Sequence, residues 1–244
     1  MKRFLIALQF LTIVPLKIKG RIKDEDFGRA LVYFPVIGLL IGLLLSLEVW
    51  ILAFLPHMVT AALVLLTSIV ITGGIHLDGF ADTCDAFYGP NTKKRILEIM
   101  RDSRIGSIGA IGIALLLVLK FSLIVSIRRE TLWKSLIMMT VFARYAQVFA
   151  CSISDYARIE GKARPFIKYA SYTDNVAGAI FTFTIFVLLA FMKGAVLFIL
   201  VFIPVFIFTE IIKKRIDGMT GDTIGAISEI AEISVLFFAL LWNI

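Results

Sequence analysis

The sequence predicts an all-α, polytopic integral membrane protein, a bundle of about seven transmembrane helices with an interfacial or re-entrant segment at the N-terminus. Three observations carry this. Apolar residues make up 59% of the 244 positions, 21 of them Phe, and mean hydropathy is +0.94; a water-facing surface of that composition would aggregate. The apolar residues gather in runs of about 16 to 25, long enough to cross a bilayer core. The charges, net +7, sit in the gaps between runs. All of 1–244 reads as one membrane-embedded catalytic domain, with the lipid bilayer as its first partner.

The elements follow in chain order. Lys2 and Arg3 precede a short apolar run from Phe4 to Leu16. No small-residue cleavage site follows, so the run reads as a retained segment at the membrane surface rather than a signal peptide. The spans are expected at about 29–54, 60–75, 107–127, 132–152, 176–192, 195–212 and 224–243. Pro204 falls inside the sixth, as membrane helices tolerate. With the N-terminus inside, the inner gaps carry nineteen Lys and Arg, seven before the first span, five in 76–106, four in 153–175, and Lys213, Lys214 and Arg215. The opposite side receives Arg128, Arg129, Lys134 and Lys193. This bias places the polar gaps on the cytoplasmic face of the membrane, with Arg128-Arg129 as its one discord. The basic excess suits an anionic leaflet or a polyphosphate substrate. No basic stripe with interleaved aromatics points to nucleic acid. Cys84 and Cys151 lack a CxxC partner, so neither a disulfide framework nor a zinc site is expected.

The gaps hold the chemistry. In Gly73-Gly74-Ile75-His76-Leu77-Asp78-Gly79-Phe80-Ala81-Asp82-Thr83-Cys84-Asp85, Asp78, Asp82 and Asp85 stand at i, i+4 and i+7. A helix puts them on one face over about 10 Å of rise. Carboxylates so close repel unless a cation lies between them. An all-oxygen donor set suggests Mg²⁺, with Mn²⁺ as substitute. His76 reads equally as base, substrate contact or structural hydrogen-bonding group. Lys93 to Met100 forms an amphipathic surface helix. It leads into Arg101-Asp102-Ser103-Arg104-Ile105-Gly106, whose two guanidinium forks suit phosphate oxygens. Arg158 adds a third fork, and Arg144 is an intramembrane charge that needs either a carboxylate or a phosphate. Thr220-Gly221-Asp222 precedes the last span, where glycine and a helix N-terminus can approach an anion. Glu229 and Glu232 within that span need a metal, a proton or an Arg or Lys partner. No GxxxxGK[ST], GxGxxG or GxSxG string is present.

Taken together, these strings resemble the cobalamin (5'-phosphate) synthase family. The likeness begins at Ala7-Leu8-Gln9-Phe10-Leu11-Thr12 with Pro15, and at Phe34-Pro35 with Gly38 and Gly42. It continues through His76-Leu77-Asp78-Gly79-Phe80-Ala81-Asp82-Thr83, Arg101 to Gly106 and Tyr156-Ala157-Arg158, and ends at Thr220 to Ala226. Ala86 departs from the Gly frequent in the family. The resemblance implies joining of adenosylcobinamide-GDP to α-ribazole or its 5'-phosphate, with GMP released. It implies a metal at Asp78, Asp82 and Asp85, phosphate contacts from Arg101, Arg104 and Arg158, and proton abstraction by one of Asp82, Asp85 and His76. Other late cobalamin-pathway enzymes are expected as neighbours. A CDP-alcohol phosphotransferase-like membrane enzyme shares the metal logic, but its motif expects Arg where Asp82 stands. A transporter would distribute its acids through bilayer depth rather than cluster them at one face.

Overall fold

The computed structural model describes residues 1–89, 92–102 and 104–244, and it is almost entirely helical. The helices are α1 (Lys2–Leu11), α2 (Asp24–Gly28), α3 (Phe34–Ile51), α4 (His57–Thr72), α5 (Ile75–Phe87), α6 (Lys93–Ile99), α7 (Ser107–Ser126), α8 (Arg129–Ser152), α9 (Arg164–Lys168), α10 (Tyr172–Ile216) and α11 (Gly221–Trp242). Among the described residues the only β-type pairing is one bridge, Tyr156 to Met219.

Helix α8 is the axis of the bundle, and its sequence explains why. It is the least apolar of the long helices, yet its apolar window is 94% buried. Ser135, Thr140, Arg144 and Gln147 are all enclosed. Such a helix needs protein rather than lipid on every side, and α3, α10 and α11 supply it. Small residues set the α3–α8 distance. A methyl group on Gly38 would lie 2.5 Å from the Thr140 carbonyl oxygen, so backbone meets backbone, as small-xxx-small faces allow. On the α10 side, Phe142, Tyr145 and Phe149 interleave with Phe186, Phe198 and Phe202 at centroid distances of 4.7–6.5 Å.

The expected seven spans are not confirmed by length and composition. Five helices qualify, or six if the bent pair α4–α5 is one span. The difference lies in α10, one 45-residue helix by hydrogen bonding. Phe183 and Phe198 would be about 22 Å apart in a straight helix, but their rings meet at 5.5 Å. The chain doubles back at Phe191 (φ 49°, ψ −131°), and Gly194 lets the two arms touch at Phe186. Residues 172–190 and 192–216 are therefore antiparallel arms of a hairpin. The break falls where the sequence separates its fifth and sixth runs.

Helix α1 has ten residues, about 15 Å, too short to cross. It buries Ile6, Ala7 and Leu11 against the bundle. The basic gaps meet at one end. Lys93 pairs with Asp217 at 3.1 Å, Arg215 donates to the Phe87 and Gly89 carbonyls, and Ala157 N–H donates to the Met219 carbonyl. The discordant Arg129 has a local task at the other end. Its guanidinium donates to the Ala53 and Leu55 carbonyls at 2.6 and 2.7 Å, closing the turn after α3. His57 there faces the Ile127 carbonyl at 3.0 Å.

Candidate active site

Two consecutive left-handed glycines, Gly73 (φ 62°) and Gly74 (φ 66°), end α4 and turn the chain by 89° into α5. A side chain at either position would be strained. Helix α5 thus runs crosswise at the basic end of the bundle, beyond the 60–75 span that the sequence predicts, against the first turns of α7 and α11. Its crossing with α11 is closer than side chains permit. A methyl on Gly79 would lie 2.6 Å from the Asp222 carbonyl oxygen, and one on Gly225 would lie 3.2 Å from the His76 Cα. This contact brings Asp222 beside Asp78 and Asp82. Gly79→Ala should push the helices apart and destabilise the fold by about 1–3 kcal/mol; thermal unfolding in a lipid nanodisc measures it, and an unchanged midpoint would show that the crossing relaxes freely.

The three α5 acids have different surroundings. Asp78 lines a cavity of about 300 Å³ together with His76, Gln147, Arg158 and Asp222. Asp82 lines a second cavity, about 490 Å³, together with Asp85, Arg95, Glu98, Asp102 and Arg104. Burial, then the Asp222 and Asp78 carboxylates, with Asp85 adding, push the Asp82 carboxyl up to about 7 despite the pull of Arg158. Asp85 is engaged elsewhere. Its two oxygens accept from the Gly106 and Gly109 N–H groups, each at 2.8 Å. It caps α7, whose N-cap residue Gly106 has no side chain to do so.

Asp78, Asp82 and Asp85 therefore do not share one point. Among the described residues, no three His, Cys, Asp or Glu side chains lie close enough to hold an ion by themselves. The carboxylate that acts most strongly on Asp82 is Asp222, from a distant gap, ahead of Asp78 and Asp85.

The basic residues also divide. Arg158 Nη2 donates to Asp222 Oδ2 at 2.7 Å and to the Met100 carbonyl at 3.2 Å. Arg104 folds onto Asp102 through two hydrogen bonds of 2.9 and 2.6 Å, and Arg101 is exposed at the same end. Ser103 lies outside the described residues. Thr220 is fully buried and caps α11 in a reciprocal pair with Thr223, while Gly221 and Asp222 line the first cavity. Arg144 lines neither cavity. It donates to Ser228 at 2.7 Å and stands 3.8 Å from Glu232, so of its two expected partners the structure supplies the carboxylate.

His76 is buried with both ring nitrogens 3.4 Å from Gln147 Nε2. Gln147, Lys162 and Phe166 line the first cavity and are absent from the sequence expectations. Only Gln147 carries a local signal, as a second polar residue one turn after Arg144 inside an apolar run.

The profile of the family described as Cobalamin-5-phosphate synthase matches residues 3–240. A relative from Clostridium acetobutylicum is 34% identical, covering 99% of this chain and 97% of its own. One from Alkaliphilus metalliredigens is 36% identical (99% and 96%), and one from Clostridioides difficile 35% (99% and 98%). Each bears the name adenosylcobinamide-GDP ribazoletransferase. No solved structure matches the chain. A membrane bundle whose acids and arginines meet at one end, matched along almost its whole length by that profile and by these relatives, belongs to the cobalamin-5-phosphate synthase family.

Proposed function

We propose that this protein joins adenosylcobinamide-GDP to α-ribazole or α-ribazole 5'-phosphate at the cytoplasmic face of a prokaryotic plasma membrane. The ribazole hydroxyl oxygen attacks the phosphorus bonded to the cobinamide, the P–O–P bond to the second phosphate breaks, and GMP leaves. One observation carries the reading: Asp78 and Asp222 line one cavity with Arg158, Asp82 lines the next with Arg104, and the three carboxylates act on one another electrostatically. The orientation rests on the basic gaps, which lie at the same end as these acids.

The donor set fits Mg²⁺, with Mn²⁺ as substitute. Magnesium is commonly held by one or two carboxylates and completed by substrate phosphates, so Asp78 and Asp82, with Asp222 beside them, suffice without a protein cage. Bound there, the cation would neutralise the diphosphate and stabilise the departing phosphate. The chain's own residues do the rest. Arg158 and Arg104 line the two cavities, where phosphate oxygens would take the place of their present carboxylate partners, Asp222 and Asp102. Of the three candidate bases, Asp85 is occupied by the α7 amides and His76 is buried against Gln147. Asp82 remains, and takes the hydroxyl proton through the oxygen that a bound cation would leave free.

The test supplies both substrates to the protein in nanodiscs and follows GMP release with and without Mg²⁺. Turnover that needs the cation supports the proposal, and none from folded protein with either ribazole form ends it. The pH dependence has a defined sign. Below about pH 7 Asp82 is protonated, and a cation must displace that proton. The Mg²⁺ concentration for half-maximal rate should rise roughly tenfold per unit as pH falls below 7, and level off above it. A midpoint independent of pH between 5.5 and 8.5 would remove Asp82 from the metal site.

A further inference from the structure

The two cavities beside α5 differ in kind. The first has an aromatic wall built from three separate segments, with Phe10 from α1, Phe34 from α3 and Phe166 from α9. Phe10 and Phe166 stand 4.4 Å apart between ring centroids, and Phe34 and Phe166 5.6 Å. Phe34 and Phe166 are each 2% exposed. On the other side is Gln147, 1% exposed, whose Oε1 meets no hydrogen-bond donor among the described residues. A buried acceptor left without a donor is costly, and its residue lines the cavity, with the oxygen itself turned into the protein. Arg158 and Lys162 also line it. Among the described residues the second cavity has no aromatic side chain; Asp82, Asp85, Arg95, Glu98, Asp102 and Arg104 line it, with Ile99, Ile105 and Gly106.

We infer that the first cavity takes the heteroaromatic base and ribose of the acceptor nucleoside, while the second faces the diphosphate donor. This assignment rests on the proposed reaction. Helix α5 is the partition between them. Asp78 looks into one cavity and Asp82 into the other, one turn and about 6 Å of rise apart. An attacking hydroxyl from one side and a phosphorus from the other would meet at that turn. Size excludes a corrinoid from about 300 Å³. A benzimidazole offers two flat apolar faces and a single ring acceptor, which suits offset stacking on Phe166 and Phe10. A ribose hydroxyl beside Gln147 would supply the donor its Oε1 lacks once the amide turns toward the cavity. A 5'-phosphate would find Arg158 and Lys162, so both forms of the acceptor are accommodated.

The experiment measures both KM values, for acceptor and donor, in wild type, Phe166→Leu and Gln147→Leu. Loss of one stacked ring should raise the acceptor KM about tenfold and leave the donor KM within about twofold. A second arm uses wild type alone, with ribosides of benzimidazole bearing none, one or two ring methyl groups and of adenine. Acceptor kcat/KM should rise about fourfold per buried methyl, and adenine riboside should be the poorest. A donor KM that rises in Phe166→Leu while the acceptor KM holds overturns the assignment, as does equal use of adenine and benzimidazole ribosides. If Phe166→Leu does not fold, the wild-type series decides. If wild type releases no GMP with any acceptor, the reaction fails, and binding of radiolabelled benzimidazole riboside alone decides the cavity. Saturable binding weakened in Gln147→Leu keeps the cavity assignment, and no binding ends it.

Discussion

Asp82→Asn lowers GMP release roughly a thousandfold, the scale seen when one preorganised charge-stabilising group is lost, while thermal stability stays the same or rises. The substitution keeps shape and removes charge. In the protein without cation, Asp82 is crowded by Asp222, Asp78 and Asp85, so a neutral amide relieves repulsion; function and stability pull in opposite directions there. Asp85→Asn should behave in reverse. Its carboxylate accepts from two N–H groups at the start of α7. An amide can offer one oxygen but turns its NH₂ toward the other donor. That loss should destabilise the protein by about 1–2 kcal/mol, with a smaller effect on rate than at position 82. The two variants are compared in nanodiscs by GMP release and thermal unfolding. If Asp85→Asn is the inactive and stable one, the chemistry belongs to Asp85 and the assignment of Asp82 is wrong.

That contrast shows what spacing along one helix reveals. The positions Asp78, Asp82 and Asp85 fix a shared face of α5, because three and four residues make a turn. They do not fix what each carboxylate meets. The partners of Asp85 are 21 and 24 residues away on a helix whose docking is set by packing. Gly73-Gly74 marks the end of a span, and the right-angled turn it permits is what makes α5 a partition. Arg144 is recognisable as a buried charge needing an opposite, but Ser228, 84 residues away, comes to it only through the α8–α11 contact. The break at Phe191 shows because Lys193-Gly194 interrupts an apolar stretch. The aromatic wall does not, since Phe10 and Phe34 stand in separate strings, Phe166 is one among 21 phenylalanines with no local mark, and nothing in sequence joins the three. Gln147 carries no charge to draw notice, although three residues after Arg144 it shares that residue's face.

The second large effect is expected inside the bundle. Lys120 on α7 donates to both Glu229 and Glu232 on α11, the latter at 2.5 Å, and all three are buried. Arg144 stands on the far side of Glu232. Two cations thus balance two carboxylates, with no uncompensated charge left for an ion path. Lys120→Met leaves two enclosed carboxylates with one cation between them. Removing one partner of a buried pair costs about 3–5 kcal/mol, so the apparent unfolding temperature should fall by roughly 10 °C. Adding Glu229→Gln restores neutrality, because Glu232 keeps Arg144. The double variant should recover most of the loss, and the coupling between the two changes measures the pair directly. None of these four residues lines either cavity, so GMP release by the double variant at 25 °C should stay within about tenfold of wild type. A double variant as unstable as Lys120→Met would mean that packing of the lysine stem, rather than charge balance, holds α7 to α11. Proton or cation flux through sealed vesicles without GMP release would mean that the network conducts, and that the acids of α11 serve transport.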